Sequence, residues 1–430
     1  MKKIALGDLC NLEKGKTGLL EAKEGEYILV ATGKDRRTCE TYQFDTKAVC
    51  IPLVSSTGHG HASLKYVHYQ EGKFALGTIL VAVIPKDENV LNAQFLHLYL
   101  SRLKDVILVP LMTGAANVTL TITKLKTVKI PLPPIDEQLR IVSLFNCIDK
   151  EQTELIGEVS NQQKLLKKLR QSILQDAIEG KLTKKWREEN LHVESASILL
   201  EKIQAEKEKL IQEKKIKKQE PLTKISEDEI PFNIPQNWAW CRLGHIFDFI
   251  DYRGKTPNKI TEGIRLITAR NIKNGYLSIE PEDFISYEEF KERMTRGFPK
   301  KGDILFTTEA PLGNIAILNL DEPISTGQRL ITLKSYIDSL NNLNLMYFML
   351  SNFFQQYLIK NSTGVTAKGI KTSKLITLLI PLPPFEEQKA IVAKIEKLFT
   401  TCNKLESEIN QNKTTVDNLM ATVLKEAFEN

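Results

Sequence analysis

Two stretches of the chain carry the same pattern of apolar and polar positions. In the first, apolar residues fall at Ile141, Phe145, Ile148, Leu155, Val159, Leu166, Leu169 and Ile173; in the second, at Ile391, Ile395, Leu398, Leu405, Ile409, Val416, Leu419 and Val423. Steps of four and three alternate, and charged residues fill the flanks. A seam this narrow, sustained over several heptads, predicts a coiled coil rather than the broader stripe of an ordinary helix. The same residues precede each helix: Ile130-Pro131-Leu132-Pro133-Pro134 with Glu137-Gln138, and Ile380-Pro381-Leu382-Pro383-Pro384 with Glu387-Gln388. Paired prolines stop a strand because they lack a ladder amide, and they are tolerated at a helix start. The copies keep register without a gap, so Leu155, Leu169, Leu174 and Ala177 answer to Leu405, Leu419, Leu424 and Ala427. Each helix is expected to run about 45 residues, or ~67 Å.

The seams are interrupted at Gln152 and Gln162 in one helix, and at Cys402 and Asn412 in the other. Polar seam residues prevent slippage by a heptad. The register that pairs them sets Gln152 beside Asn412 and Gln162 beside Cys402, with the crossing near Gly157 and Ser407.

The stretches before each helix also echo one another. Tyr27-Ile28-Leu29-Val30 and Thr78 to Ile84 read as strands, and Phe95 to Leu100 as a helix. Leu243-Gly244-His245-Ile246 matches Leu6-Gly7-Asp8-Leu9, and Gly254-Lys255-Thr256 matches Gly15-Lys16-Thr17. Gly302-Asp303-Ile304-Leu305 is aligned with Gly77-Thr78-Ile79-Leu80, and Leu345 to Leu350 with the Phe95 helix. The expected architecture is α+β: two similar mixed α/β domains separated by two long helices that form an antiparallel coiled coil, with an approximate two-fold. The boundaries are 1–129 and 238–379 for the domains, 130–180 and 380–430 for the helices, and 181–237 for a helical arm and linker. In that arm, Ser197 to about Lys209 is amphipathic, and Lys214-Lys215-Ile216-Lys217-Lys218 reads as a solvated linker face.

Charge sharpens this division. The net charge is +6; the positive excess lies in the two domains, while the long helices are slightly acidic. A polyanionic partner would therefore be met by the domains. The six cysteines are scattered without a Cys-x-x-Cys pair, which points to free thiols in a reducing cytoplasm. No apolar run reaches the roughly 18 residues of a membrane span, and Asp8 interrupts the stretch after Met1-Lys2-Lys3, so no signal peptide is expected.

Catalytic patterns are missing. Gly254-Lys255-Thr256 lacks the earlier glycine of a phosphate-binding loop, and no Gly-x-Gly-x-x-Gly, Gly-x-Ser-x-Gly or His-Glu-x-x-His occurs. Pro133-Pro134-Ile135 and Pro383-Pro384-Phe385 lack the preceding Asn or Asp of amino-methyltransferases. His59, His61 and nearby His68 have no cysteine or carboxylate set beside them, so they read as loop donors and no metal is expected.

The domain loops instead concentrate the residue types that read base edges and hold phosphates: Arg for guanine, Asn and Gln for adenine, Ser and Thr for either, Lys for phosphate. In the first domain these are Lys34, Arg36, Arg37, Ser56, Thr57, His59, His61 and Lys65. In the second they are Tyr252, Arg253, Lys255, Thr256, Arg270, Asn271, Lys273, Thr308, Gln328, Arg329 and Lys368.

This order of domain, Ile-Pro-Leu-Pro-Pro helix, charged arm, second domain and second Ile-Pro-Leu-Pro-Pro helix resembles the DNA specificity (S) subunit of type I restriction–modification enzymes over the whole chain. The resemblance implies two target recognition domains reading the halves of a bipartite, asymmetric double-stranded DNA site, with the helices as conserved spacers. It implies a non-catalytic chain. Two methyltransferase (M) subunits bring S-adenosylmethionine and methylate adenine at N6, and restriction (R) subunits bring ATP and Mg, so no cofactor is expected on this chain. An antiparallel coil would put the half-sites about one helical turn apart, ~34 Å. Substituting Arg270, Asn271 or Gln328 is then expected to relax one half, and Arg36, Arg37 or His59 the other. The rival reading is a coiled-coil scaffold whose two domains bind protein, which the basic excess of both domains disfavours.

Overall fold

The computed structural model describes residues 3–57, 60–115, 117–254, 256–364 and 367–429, and in the last helix side chains as far as Val416, with Asn418 and Thr422 beyond it. The chain divides into two compact units, Met1–Asn161 with Ile409–Asn430, and Gln162–Glu408.

The strands of the first unit are β1 (Lys3–Ala5), β2 (Cys10–Lys14), β3 (Tyr27–Val30), β4 (Arg37–Cys39), β5 (Phe44–Asp45), β6 (Ala48–Pro52), β7 (His68–Gln70), β8 (Lys73–Leu76), β9 (Leu80–Pro85) and β10 (Lys129–Pro131). They form a sheet in the order β2-β9-β6-β7, a second in the order β4-β3-β8-β5, and the pair β1-β10. β6 is buried along its whole length, as its unbroken apolar run requires of a strand covered on both faces. The core joins Val49, Ile51, Val81 and Val83 of the first sheet to Phe95 and Leu96 of the helix Ala93–Arg102, and to Ile141 and Phe145 of the long helix Ile135–Ile178.

The second unit continues with β11 (Ala239–Arg242), β12 (Phe247–Asp251), β13 (Ile264–Ile267), β14 (Phe284–Ile285), β15 (Ile304–Thr307), β16 (Ile315–Ile317), β17 (Ile324–Thr326), β18 (Leu330–Ser335) and β19 (Leu379–Leu382). Its sheets run β12-β18-β15-β16 and β14-β13-β17, with the pair β11-β19. Strand by strand this is the topology of the first unit, down to a parallel pair in the second sheet, β3 with β8 and β13 with β17. A strand matching β5 is not among the described residues of that sheet. One alignment from the sequence is corrected. Gly302 to Leu305 leads into β15, whose place in the sheet is that of β6; the counterpart of β9 is β18, entered from Gly327-Gln328-Arg329. The same Gly-polar-Ile-Leu pattern leads into both β9 and β15, and hydrogen-bonded neighbours decide which is which.

The proline motif acquires a mechanism. Gln138 and Gln388 are fully buried. Gln138 donates to the carbonyls of Val90 and Pro133 and accepts from the amide of Asn92. Gln388 donates to Pro383 and accepts from Asn341. Asn92 and Asn341 are the N-caps of the helices Ala93–Arg102 and Asn342–Leu350, so each motif glutamine ties the start of a long helix to the start of a domain helix. The neighbouring glutamates differ. Glu137 is half-exposed and pairs with Arg140. Glu387 is fully buried and accepts from the Thr183 hydroxyl at 2.7 Å, the Trp238 indole at 2.8 Å and the Arg187 guanidinium at 2.5 Å. It thereby clamps both ends of the arm that contains the helix Ala196–Gln212.

Within the second unit, the end of the first long helix and the start of the second, Phe385–Glu429, run antiparallel. Arg170 bonds Asn403 and Glu406 and lies over the Phe399 ring, while Leu182 and Thr183 meet Lys394 and Glu387. This corrects the register taken from the polar seam positions, which puts Arg170 opposite Lys394. Asn403 lies nine residues further on, about 13 Å along a helix, beyond the reach of an arginine. The seam is also one-sided. Leu166, Ile173, Ile395 and Cys402 are buried, but Leu165, Leu169, Leu398 and Leu405 remain exposed. Arginine bonds and the Glu387 clamp hold these segments, so polar seam residues do not have to.

Candidate nucleic-acid interface

In each unit the loops holding the predicted residues converge on one end of the sheets. β9 starts opposite the ends of β2 and β6, with Val81 across from Lys14 and Leu80 across from Pro52. The end of β3 joins them, because the amide of Gly77 donates to the carbonyl of Val30. Gly15 sits so close to this junction that a Cβ would lie 2.2 Å from the Gly77 carbonyl oxygen, so only glycine fits. The loop after β6 reaches the same end through the bond from the Ser55 amide to Val118. The second unit repeats the arrangement: Gly327 donates to the Ile267 carbonyl, and Thr308 to that of Arg329, as Leu53 does to Ile79.

At the first unit's end, Lys34, Arg37 and Lys65 are exposed, and among the described residues none of them is paired with a carboxylate. Arg36 is half-buried and committed. It donates to Gln70 and the Tyr69 carbonyl and stands 3.1 Å from Nδ1 of His68. Burial and the Arg36 charge push His68 down to about 4, so the ring is neutral and serves the core. Ser56 and Thr57 are exposed but also brace their loop: the Ser56 hydroxyl accepts from the Lys65 amide, and that of Thr57 lies 2.9 Å from Ser63. His61 is exposed, and its carbonyl accepts from Ser55. His59 lies outside the described residues.

At the second unit's end the arginines are paired before any ligand arrives. Arg253 meets Asp251 through two N–H groups, at 2.9 and 2.6 Å, and also donates to Thr308 and Thr372. One of its five N–H groups remains, so Arg253 is a strut rather than a two-pronged reader. Burial works to raise Asp251, but the Arg253 and Thr372 bonds outweigh it and hold the carboxyl below its usual range. Arg270 pairs with Asp283 at 2.6 Å, and Arg329 with Glu309 at 3.1 Å. Thr256, Gln328 and Lys368 are exposed, with the Gln328 amide donating to the Thr256 hydroxyl. Lys273 is half-exposed and bonds the Arg270 carbonyl.

Three assignments are corrected here. Asn271 is 1% exposed; its side chain accepts from the amide and hydroxyl of Thr268 and donates to the carbonyls of Ser278 and Pro281. It builds the turn and has no edge left for a base. Tyr252 is buried, its hydroxyl donating to Gly297 and accepting from the Arg296 amide. Thr308 is buried beneath Arg253. Lys255 lies outside the described residues. Residue type marks loops, but it does not say which loop residues turn inward.

Further basic residues stand at the same loops. Lys16, exposed in the loop after β2, belongs to the Gly15-Lys16-Thr17 echo of Gly254-Lys255-Thr256. Arg293 and Arg296 line a cavity of about 410 Å³ with Arg253, Gly254 and Glu289. They bond the carbonyls of Tyr252, Thr326 and Asp251, and their signal is a short basic run that starts in the last turn of the helix Tyr287–Arg293.

Comparison with known proteins meets this geometry from outside. A family model described as the type I restriction modification DNA specificity domain matches residues 1–165 and 235–412. The chain is similar to the specificity subunit of the type I restriction enzyme EcoAI of Escherichia coli, 32% identical over 339 residues that cover 66% of this chain and 56% of that subunit. It is also similar to the EcoDI specificity subunit of the same species, 25% identical over 99% of this chain and 87% of that one. Against EcoAI and the EcoBI specificity subunit, the chain spans little more than half of the relative's length. Among solved structures, a chain from a study of complex assembly and conformational transition of the type I R-M system superposes with a TM-score of 0.68 at 18% identity, over 99% of this chain and 97% of that one. The HsdS subunit from Thermoanaerobacter tengcongensis gives 0.55 at 18%, over 99% and 96%. Both likenesses are of fold.

Proposed function

Because this chain belongs to the type I restriction–modification DNA specificity family, we propose that it is the subunit that reads a bipartite, asymmetric DNA target and positions methyltransferase and restriction subunits on it. The observation that carries this reading is the repeated convergence: the same loops, at the same end of the same topology, twice, with different side chains. Matching scaffolds with different loops suit two different half-sites. The chain itself is non-catalytic. S-adenosylmethionine, ATP and Mg belong to the partner subunits, two M and the R subunits, and the complex works in the cytoplasm.

Exposed apolar side chains on the long helices support the partner assignment. Leu165, Leu169, Leu398 and Leu405 in the second unit, and Leu139, Leu144, Leu155 and Ile156 in the first, stay between 37 and 54% exposed. Large apolar side chains left exposed on a helix suit a surface for another protein, here the M subunits.

A salt titration of duplex binding tests the reading. Phosphate contacts release counterions, so log affinity should fall linearly with log salt, with a slope of about −0.9 per phosphate neutralised. A coiled-coil scaffold that binds only protein would show no duplex affinity to lose. Isothermal titration of the isolated chain with S-adenosylmethionine should show no stoichiometric site.

A further inference from the structure

Arg329 is an exposed residue at the entrance to β18 with φ of +63°, a left-handed conformation that long side chains rarely adopt. Ile79 holds the equivalent place in the first unit, its carbonyl accepting the same bond from the end of the neighbouring strand, and it is not left-handed. The scaffold therefore does not require the strained backbone. Ala310, at φ +42°, lies in the loop directly opposite. Strained backbone gathered at one place on a repeated scaffold points to function.

The side chain stands beside a carboxylate. Nε of Arg329 lies 3.1 Å from Oε1 of Glu309, and the two side chains are 51% and 47% exposed. Among the described residues nothing accepts from the two terminal amino groups of Arg329, and the side chain is half exposed, so both groups are available to a ligand. That fork matches the O6 and N7 acceptors of guanine in the major groove. Neighbouring arginines are less free: Arg253 has one N–H left, and Arg270 spends a terminal nitrogen on Asp283. A residue serving only a phosphate would gain nothing from a carboxylate beside it, because the carboxylate repels the backbone and fixes only orientation.

We propose that Arg329 reads a guanine in the half-site of the second unit, and that Glu309 is a positioning residue that fixes the fork for that base. The proposal rests on the DNA-reading function above and names the base. It is tested by selecting duplexes from a randomised library with the full chain in its methyltransferase complex. The wild type should prefer guanine at one position of one half-site by at least tenfold. R329A should erase that preference alone, R329K should not restore it, and R329G, which suits the left-handed backbone, should fold normally and also lose it. E309Q should raise affinity for all sequences several-fold while blunting the guanine preference. R329A leaving every preference intact, or weakening all sequences equally, would overturn the assignment. An E309Q profile identical to wild type would remove the positioning role. A wild type that selects no sequence at all would defeat the DNA-reading function itself, and this proposal with it.

Discussion

Replacing Glu387 by alanine tests whether one motif carboxylate holds the arm in the second unit. Its oxygens, themselves without solvent access, take the Thr183 hydroxyl, the Trp238 indole and the Arg187 guanidinium. Each hydrogen bond to a charged group contributes about 1.5–3 kcal/mol. The three share one acceptor and do not add. Removing one partner of a buried ion pair costs about 3–5 kcal/mol, and the remaining bonds of Arg187 to Thr183 and the Gly180 carbonyl favour the lower part of that range. The chain's three tryptophans, Trp186, Trp238 and Trp240, all lie in or beside the arm, so intrinsic fluorescence reports this site. With a urea slope of about 2–3 kcal/mol/M, the fluorescence midpoint should drop by about 1–2 M. A cycle with Arg187→Met should show strong coupling, and Glu137→Ala, at the half-exposed counterpart, should leave the midpoint unchanged. A Glu387→Ala loss below about 1 kcal/mol, or strict additivity with Arg187→Met, would refute the clamp.

Gln138→Ala and Gln388→Ala should each cost about 1–3 kcal/mol by orphaning buried backbone groups, with faster hydrogen exchange at the amides of Asn92 and Asn341 respectively as the check. Asn271→Ala should destabilise the second unit by a similar amount, about 1–3 kcal/mol, in thermal melts, without shifting preference at a single base of selected duplexes. Burial raises Asp303 to about 6, so the folded state holds its proton more tightly than the unfolded chain. Stability from this group is present at low pH and is lost as pH rises from about 4 to 6. Asp303→Asn should flatten that slope in denaturation curves and stabilise the unit at neutral pH. His68, lowered to about 4, has the opposite sign: its contribution is present above about pH 6.5 and is lost as pH falls toward 4, a slope that His68→Gln should remove.

The heptads, the repeated proline motif and the alternation of loops with apolar runs are local patterns, and each is legible along the chain. They predicted two long helices, which span Ile135–Ile178 and Phe385–Glu429, and two similar mixed domains, whose strand orders match. The helix beginning at Ala196 was legible for the same reason, from its periodicity. Periodicity works because the helix repeat imposes it on every buried face. What remained hidden depends on partners distant in sequence. Glu137 and Glu387 occupy the same motif position, yet only Glu387 meets Arg187 and Trp238. Asn271 and Gln328 are equally suited by type to read adenine, yet Asn271 points into its own turn while Gln328 stays exposed. Gly302 and Gly327 both precede strands, and only pairing shows which one answers Gly77. The polar seam residues implied a register that the reach of Arg170 overrules. Whether a side chain is spent inside the fold or left for a ligand is decided by which donors and acceptors the fold brings within 3 Å of it, and that is a property of the assembled chain.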